Sequence, residues 1–291
     1  FRQSPVNMQP TKELAVTDYP IADYDDAYAN GAYIEGASDY PPRWADKAQA
    51  FRAALSKAGR ARLDLEYGPA QSNRLDLFMP EGKPRGLAVF VHGGYWKAFD
   101  KSFWSHLAEG PLAHGFAVAM PGYTLCPENR IAGIGREVAA AVSLAAGEVA
   151  GPIRLTGHSA GGQLVTRLVS GAPLLSDEVL GRVAGVTSIS GVHDLRPVQR
   201  TEMNEVLNID AAEAQAESPV LLAPLAPIAV NAWVGADERP EFVRQNRALY
   251  EVWRGFATPM RLHEEPGKHH FDVIDGLADA DHPLCRAFLG L

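Results

Sequence analysis

The sequence predicts an α/β protein whose central sheet is mostly parallel and doubly wound. Six short apolar runs from residue 86 onward each close on glycine, proline or polar residues, as buried parallel strands do. Helical stretches such as residues 133–150 and 241–256 lie between them. Because strands and helices alternate, we expect residues 1–291 to form a single domain around one sheet.

The residues before these runs show a different pattern of polar and apolar side chains. Residues 1–46 are rich in Tyr, Asp and Pro with little periodicity, which predicts an irregular N-terminal arm packed over the domain. An apolar stripe predicts a helix over about residues 45–58. Residues 61–68 and 73–80 alternate polar with apolar side chains and predict two antiparallel strands joined across "PAQS".

One later segment, residues 195–227, interrupts the alternation of strand and helix. It carries none of the short apolar runs and predicts a mostly helical excursion from the domain. Ligands of doubly wound sheets bind outside the carboxyl ends of the strands. Functional residues are therefore expected directly after each apolar run.

The amino-acid composition limits the kinds of molecule that the protein is expected to bind. The chain has 27 Lys and Arg against 35 Asp and Glu, a formal charge of -8, which disfavours nucleic acid and anionic membrane surfaces. No apolar run approaches the roughly 18 residues of a membrane span. Two distant cysteines, Cys126 and Cys285, predict neither a disulfide framework nor a zinc site and suit a reducing, cytoplasmic location. A small-molecule substrate is expected.

The fragment "RLTGHSAGGQLV" matches the pattern G-x-S-x-G at Gly157, His158, Ser159, Ala160 and Gly161. An apolar run precedes it and a helical stretch follows, which is the context that a nucleophile elbow requires. The turn is so sharp that its flanking residues must be small, and it lifts the serine hydroxyl above the sheet edge. The alternative is a serine that caps an ordinary helix.

A serine nucleophile also needs donors for the oxyanion that forms on attack. The run "VFVHGGYWKAFDK" places Gly93 and Gly94 just after a predicted strand. Their backbone N–H groups, with that of Ala160, are candidates for an oxyanion hole.

The histidine before these two glycines and the aromatic residues after them are expected to have different roles. His92 is expected to orient the loop through hydrogen bonds rather than to act as the base. Tyr95 and Trp96 directly follow the glycines and are candidates for the walls of the substrate pocket, although aromatics packed under a loop would give the same pattern.

The general base that would activate Ser159, and the acid that would orient this base, are expected after the last two apolar runs. "GKHHFDV" offers His269 and His270, of which His270, directly before a predicted helix start, is preferred. No carboxylate or cysteine stands at ligand spacing from the pair, so no metal is expected. Asp237 and Glu238 both follow the preceding run, and the residues alone leave open which one orients the imidazole.

Together, "HGGYW", "GHSAGG", "GADERPEFVRQN" and "HHF" resemble the kynurenine formamidase (arylformamidase) group of α/β-hydrolases, within the esterase and lipase superfamily. The resemblance runs roughly from residue 92 to residue 271. In that group an acidic residue and two variable positions precede Glu-Phe and then Arg-Gln, and the matching residues here are Glu241, Phe242, Arg244 and Gln245. The resemblance implies an α/β-hydrolase fold with Glu238 as the acid and His270 as the base.

The resemblance implies a cofactor-free serine hydrolase that forms an acyl-enzyme on Ser159. Its implied substrate is an aryl formamide such as N-formyl-L-kynurenine, cleaved to kynurenine and formate. A carboxylesterase for short acyl chains is the alternative; a shallow pocket favours the formamide and a longer channel the ester. A non-catalytic binding protein would lack part of the machinery. The sequence leaves open what binds a substrate carboxylate, whether the arm acts as a lid, and whether the chain forms a homodimer.

Overall fold

The chain folds around one eight-stranded sheet. A computed structural model describes residues 21–291, so the first 20 residues of the expected arm lie outside the described part. The strands are β1 (Ala61–Glu66), β2 (Arg74–Phe78), β3 (Leu87–Val91), β4 (Ala117–Pro121), β5 (Ile153–His158), β6 (Val183–Ile189), β7 (Val230–Gly235) and β8 (Met260–Glu265).

The sheet has the order β1-β2-β4-β3-β5-β6-β7-β8. β1 pairs with β2 and β2 with β4 in antiparallel fashion, whereas β3 to β8 run parallel. The six apolar runs are the six parallel strands, which confirms the predicted fold class. Their carboxyl ends share one edge of the sheet.

Helices cover both faces of this sheet. They are α1 (Tyr24–Tyr28), α2 (Tyr40–Lys57), α3 (Glu109–Ala113), α4 (Ile131–Glu148), α5 (Ala160–Arg167), α6 (Asp177–Arg182), α7 (Asn204–Leu207), α8 (Ala211–Ala216), α9 (Pro240–Trp253) and α10 (Pro283–Leu289). Alternation along β3 separates the two cores: Val89 belongs to the cluster that includes side chains of α4, α5 and α9, while Phe90 belongs to the cluster that includes side chains of α2 and α10.

The N-terminal arm is more regular than expected over the described residues. α1 and two short 3₁₀ helices, Asn30–Tyr33 and Ala37–Asp39, precede α2. α2 begins at residue 40 rather than 45 because its prolines occupy the first helical positions, where a missing N–H costs nothing. Trp44 is buried there. The predicted irregular arm is therefore wrong for this part of residues 1–46.

The helical segments of residues 195–227 are short and are separated by turns and irregular chain. α7 and α8 are flanked by the 3₁₀ helices Val198–Arg200 and Pro219–Leu221. Arg130, before α4, forms an ion pair with Glu213 of α8, so the excursion is tied to the body of the protein. Within residues 21–291, no helix is both long and apolar enough to cross a membrane.

Candidate active site

Ser159 stands at the turn between β5 and α5 in a strained backbone conformation. Its φ is 55° and its ψ is -117°, a region that non-glycine residues rarely adopt, and its N–H donates to the Ile189 carbonyl at 2.8 Å. A Cβ on Gly157 would lie 2.2 Å from the Gly161 carbonyl oxygen, and one on Gly161 would lie 2.0 Å from that of Val91. The turn therefore requires both glycines.

A carboxylate and an imidazole meet beside this serine. Nδ1 of His270, after β8, lies 2.6 Å from Oε2 of Glu238, after β7. Both side chains are buried, with 5% of His270 and none of Glu238 exposed. The other oxygen, Oε1, accepts from the Gly235 N–H at 2.8 Å and from the Ser190 hydroxyl. Both carboxylate oxygens are thus held in place.

The residues that precede this pair in the sequence, Asp237 and His269, do not take part in its hydrogen bond. Asp237 is exposed, and its N–H donates to the Lys268 carbonyl. Nε2 of His269 lies 3.0 Å from the Tyr40 hydroxyl, and its Nδ1 accepts from the backbone N–H of Phe271. In residues 21–291 no group of three or more His, Cys, Asp or Glu side chains could hold a metal ion. The expectation that a helix begins at Phe271 is wrong, because the chain forms turns there.

Two buried rings pack against the imidazole of His270. The Phe242 ring centroid lies 4.4 Å from that of His270, and the His158 ring lies 4.6 Å away. Burial, followed by the nearby charge of His270, holds the pKa of His158 well below its usual range. His158 is therefore neutral and adds no second positive charge beside a protonated His270.

The glycine loop after β3 runs alongside the serine. A Cβ on Gly93 would lie 3.0 Å from the Cβ of Ser159, and Gly94 has a φ of 111°. No acceptor among the described residues pairs with the backbone N–H groups of Gly93, Gly94 or Ala160. These donors are available to an oxygen bound next to Ser159.

His92 supports this loop from the core side. Its Nδ1 lies 2.7 Å from the Gly93 carbonyl oxygen, and its ring stacks on Tyr123 with centroids 4.2 Å apart. Burial lowers its pKa to about 4, so the ring is neutral at pH 7. This arrangement agrees with the expected structural part of His92.

An apolar cavity of about 310 Å³ opens onto Ser159 and His270. Six aromatic residues contribute to its wall: Tyr28, Trp44, Tyr95, Phe99, Trp104 and Phe271. Tyr95 lies where the sequence predicted a pocket wall. Trp96 does not: it is fully buried, and its Nε1 donates to Oε1 of Gln163 at 3.1 Å. The assignment of Trp96 to the pocket is wrong because the strained loop turns this side chain into the core.

A family model described as "Alpha/beta hydrolase family" matches residues 88–289. The chain belongs to the alpha/beta hydrolase family. The kynurenine formamidase of Danio rerio is 27% identical over 273 residues, which cover 86% of this chain and 92% of that protein.

Solved structures give the same fold. A crystal structure described as a putative thioesterase from Silicibacter sp. TM1040 is 51% identical, covers 92% of this chain and 99% of its own, and has a TM-score of 0.85. Esterase 2 of Thermogutta terrifontis is 19% identical, covers 79% of this chain and 91% of its own, and shares the fold with a TM-score of 0.61. The resemblance to arylformamidase-like α/β-hydrolases inferred from the sequence is confirmed.

Part of this hydrolase's cavity comes from the arm, which sequence reasoning did not assign to the site. Tyr28, Asn30 and Trp44 line it. The Tyr95 hydroxyl donates to the Tyr28 carbonyl at 2.6 Å, and Nδ2 of Asn30 lies 3.3 Å from the same hydroxyl. The arm therefore closes one side of the cavity, and only its high aromatic content hinted at this.

The residues matched through the family resemblance anchor the arm. The Tyr28 hydroxyl donates to Oε1 of Glu241 at 2.9 Å and accepts from Nε2 of Gln245 at 3.1 Å. Arg244 forms two hydrogen bonds with Glu241. The residues of α9 that carry the resemblance thus form a buried hydrogen-bonded contact between α9 and α1 and do not line the cavity.

Proposed function

We propose that this hydrolase cleaves an aryl formamide, such as N-formyl-L-kynurenine, through an acyl-enzyme on Ser159. One observation carries the proposal: Ser159 and His270, whose imidazole is bonded to Glu238, open onto a cavity walled by six aromatic residues. Such a wall suits an aryl leaving group, and the volume lies at the small end of ligand pockets.

The first step is attack of the Ser159 hydroxyl on the formyl carbon. Nδ1–H of His270 donates to Glu238 at 2.6 Å, which leaves the lone pair on Nε2 to take the serine proton. Glu238 also stabilises the imidazolium that results. The oxyanion is bound by the free N–H groups at Gly93, Gly94 and Ala160, and one such donor is worth on the order of 100-fold in rate.

The tetrahedral intermediate then breaks the C–N bond, and His270 returns its proton to the departing arylamine. A formyl ester on Ser159 remains. Water enters, loses a proton to His270 and attacks this ester. Formate departs, the serine oxygen regains the proton, and the enzyme is restored.

The substrate class has two sources of support. The curated relative of 27% identity is a kynurenine formamidase, and a formyl group needs almost no room on the acyl side. The alternative is hydrolysis of short acyl esters or thioesters with the same groups. The 51% identity with a protein described as a putative thioesterase favours it.

The test is a profile of kcat/KM on N-formylkynurenine, nitrophenyl esters of increasing chain length and a short acyl thioester. We expect the formamide to be preferred, and the nitrophenyl series to fall as the acyl chain lengthens. Ser159→Ala should abolish every activity, and a phosphonate should label Ser159 alone. Turnover of acetate or butyrate esters without any on N-formylkynurenine would overturn the formamidase assignment in favour of the esterase.

A further inference from the structure

We propose that Lys97 binds a carboxylate of the substrate, so that the cavity selects aromatic substrates that carry one. The inference rests on the proposed function only in taking the cavity beside Ser159 as the substrate site. It names a specificity residue and a substrate class that the catalytic groups do not define.

The charge of the cavity wall is the first observation. Lys97 is the one lysine or arginine among the described residues that line the cavity, and no Asp or Glu stands among them. The chain as a whole carries a formal charge of -8. A wall with a single cation therefore opposes the charge of the rest of the protein and attracts an anion.

The second observation is that Lys97 is unpaired. Within residues 21–291 its ammonium group forms no ion pair and no hydrogen bond, although the residue is only partly exposed. Lys101, four residues later, shows the usual arrangement: its Nζ lies 2.8 Å from Asp64 and 2.7 Å from Asp76. A partly buried cation without a partner has lost part of its hydration, which a bound anion can replace.

The catalytic carboxylate is not a partner for this ammonium group. Glu238 accepts from His270, Ser190 and the Gly235 N–H and does not line the cavity. The cavity wall therefore offers Lys97 no carboxylate, and a substrate can bring one.

The backbone joins Lys97 to the catalytic loop. The N–H groups of Lys97 and Ala98 donate to the Gly94 carbonyl at 3.1 and 3.0 Å. Lys97 therefore belongs to the same tight turn as Gly94, one of the proposed oxyanion donors, and its backbone is held next to that donor.

An aromatic cluster next to this turn can hold the aryl ring. The ring centroids of Trp44 and Trp104 lie 4.7 Å apart, and Phe99 packs against both at 6.1 and 5.9 Å. All three residues line the cavity. A substrate whose ring rests on this cluster and whose formamide reaches Ser159 has its remaining substituents available to Lys97.

The test compares Lys97→Met with Lys97→Arg, which keeps the charge, and with Lys83→Met, which removes an exposed lysine outside the cavity wall. Each is assayed on two pairs that differ only at the carboxylate: N-formylkynurenine against its carboxamide, and a carboxymethyl-substituted phenyl acetate against its carboxamide. The quantity measured is the ratio of kcat/KM for the carboxylate to that for its neutral partner.

We expect Lys97→Met to lower this ratio at least about tenfold, the effect of losing one hydrogen bond to a charged group, mainly through KM. Lys97→Arg should restore most of it, and Lys83→Met should leave it unchanged. An equal fall for both members of a pair, or no fall, would overturn the proposal. If the parent enzyme cleaves the esters but not N-formylkynurenine, the proposed function fails while the ester pair still decides the part of Lys97.

The unmodified protein provides a second measurement that needs no variant. The anion of phenylacetic acid should have an inhibition constant about tenfold lower than that of its methyl ester. Addition of 0.5 M salt should reduce this difference, because salt screens the charge of Lys97. Equal inhibition by the acid and the ester, without a salt effect, would also contradict carboxylate binding.

Discussion

Nδ1 of His270 lies 2.6 Å from a carboxylate oxygen of Glu238, although 32 residues separate them along the chain. The two residues meet because β7 and β8 are parallel neighbours and end at the same edge of the sheet. The loops that follow are also joined directly, since the Asp237 N–H donates to the Lys268 carbonyl at 3.0 Å. This bond uses the backbone of Asp237 and leaves its side chain exposed.

Glu238→Gln should lower kcat by roughly a thousandfold or more. An amide NH₂ placed toward His270 cannot accept from Nδ1–H, so the imidazole loses its orientation and the support of its cation, as amide substitution does in serine proteases. Steady-state kinetics on the best substrate measure this, with circular dichroism to check the fold.

Asp237→Asn is the matched control for this substitution. It makes the same chemical change one residue away on an exposed side chain, and kcat should change by less than about tenfold. The reverse order of the two variants would mean that Asp237, and not Glu238, supports the base during turnover.

Ser190 is predicted to position Glu238. Its hydroxyl donates to the carboxylate oxygen that does not face His270. Ser190→Ala should lower kcat by about tenfold, the effect of losing one hydrogen bond to a charged group, with little change in KM because Ser190 does not line the cavity.

Ser190→Gly separates the hydroxyl from the backbone. Ser190 has a φ of 52°, which glycine adopts without strain, so this variant should be more stable than Ser190→Ala in a denaturant titration. Both variants lack the hydroxyl and should show the same loss in kcat. Parental kcat in Ser190→Gly would show that the conformation at this position, and not the hydroxyl, matters.

The sheet could be predicted from the sequence because its strands are buried on both faces. Each of the six parallel strands is a short, nearly continuous apolar run, and such runs form few other structures when glycines and polar residues bound them. The position of Ser159 could also be predicted, since the elbow is a local motif whose glycines cannot be replaced: a Cβ on either would lie within 2.5 Å of a backbone oxygen.

Residues whose direction depends on distant packing could not be predicted in this way. Trp96 follows Tyr95 on a loop where both have positive φ, of 55° and 49°, and no sequence pattern specifies which ring faces the cavity. The contact between Tyr28 and Glu241 spans 213 residues and leaves no local signal. The choice between Asp237 and Glu238 was likewise open from the residues and came from the family resemblance.

Gly94→Ala should lower kcat by at least about 100-fold, the cost of misplacing one oxyanion donor. The new Cβ would lie 2.2 Å from the Ala98 carbonyl oxygen, at a φ of 111°, so the loop must move. Gly82→Ala is the control, because Gly82 also has a positive φ, of 78°, but nothing lies within 4 Å of a Cβ there. It should lower the free energy of unfolding by about 1 kcal/mol and leave kcat unchanged. Equal kinetic effects would argue against a part for the Gly94 loop in the reaction.

The last prediction concerns stability in mild acid. Burial lowers the pKa of His92 and His106 to about 4 and that of His193 to about 3. These rings stay neutral in the folded protein, whereas in the unfolded chain they take up protons near pH 6.5. Below that pH the unfolded state binds more protons, so the free energy of unfolding falls as pH decreases from about 6.5 to 4, by about 1.4 kcal/mol per pH unit for each histidine.

His106 tests this because both of its ring nitrogens are buried without a hydrogen-bond partner in the described part of the chain, and the residue lies outside the cavity wall. In His106→Leu one titrating group is gone. Its free energy of unfolding, measured by denaturant titration at several pH values, should fall less steeply between pH 6 and 4.5, by about 1.4 kcal/mol per pH unit. The two stability curves should therefore converge, or cross in favour of the variant, as the pH falls. Parallel curves over this range would mean that His106 is protonated in the folded protein as readily as in the unfolded chain.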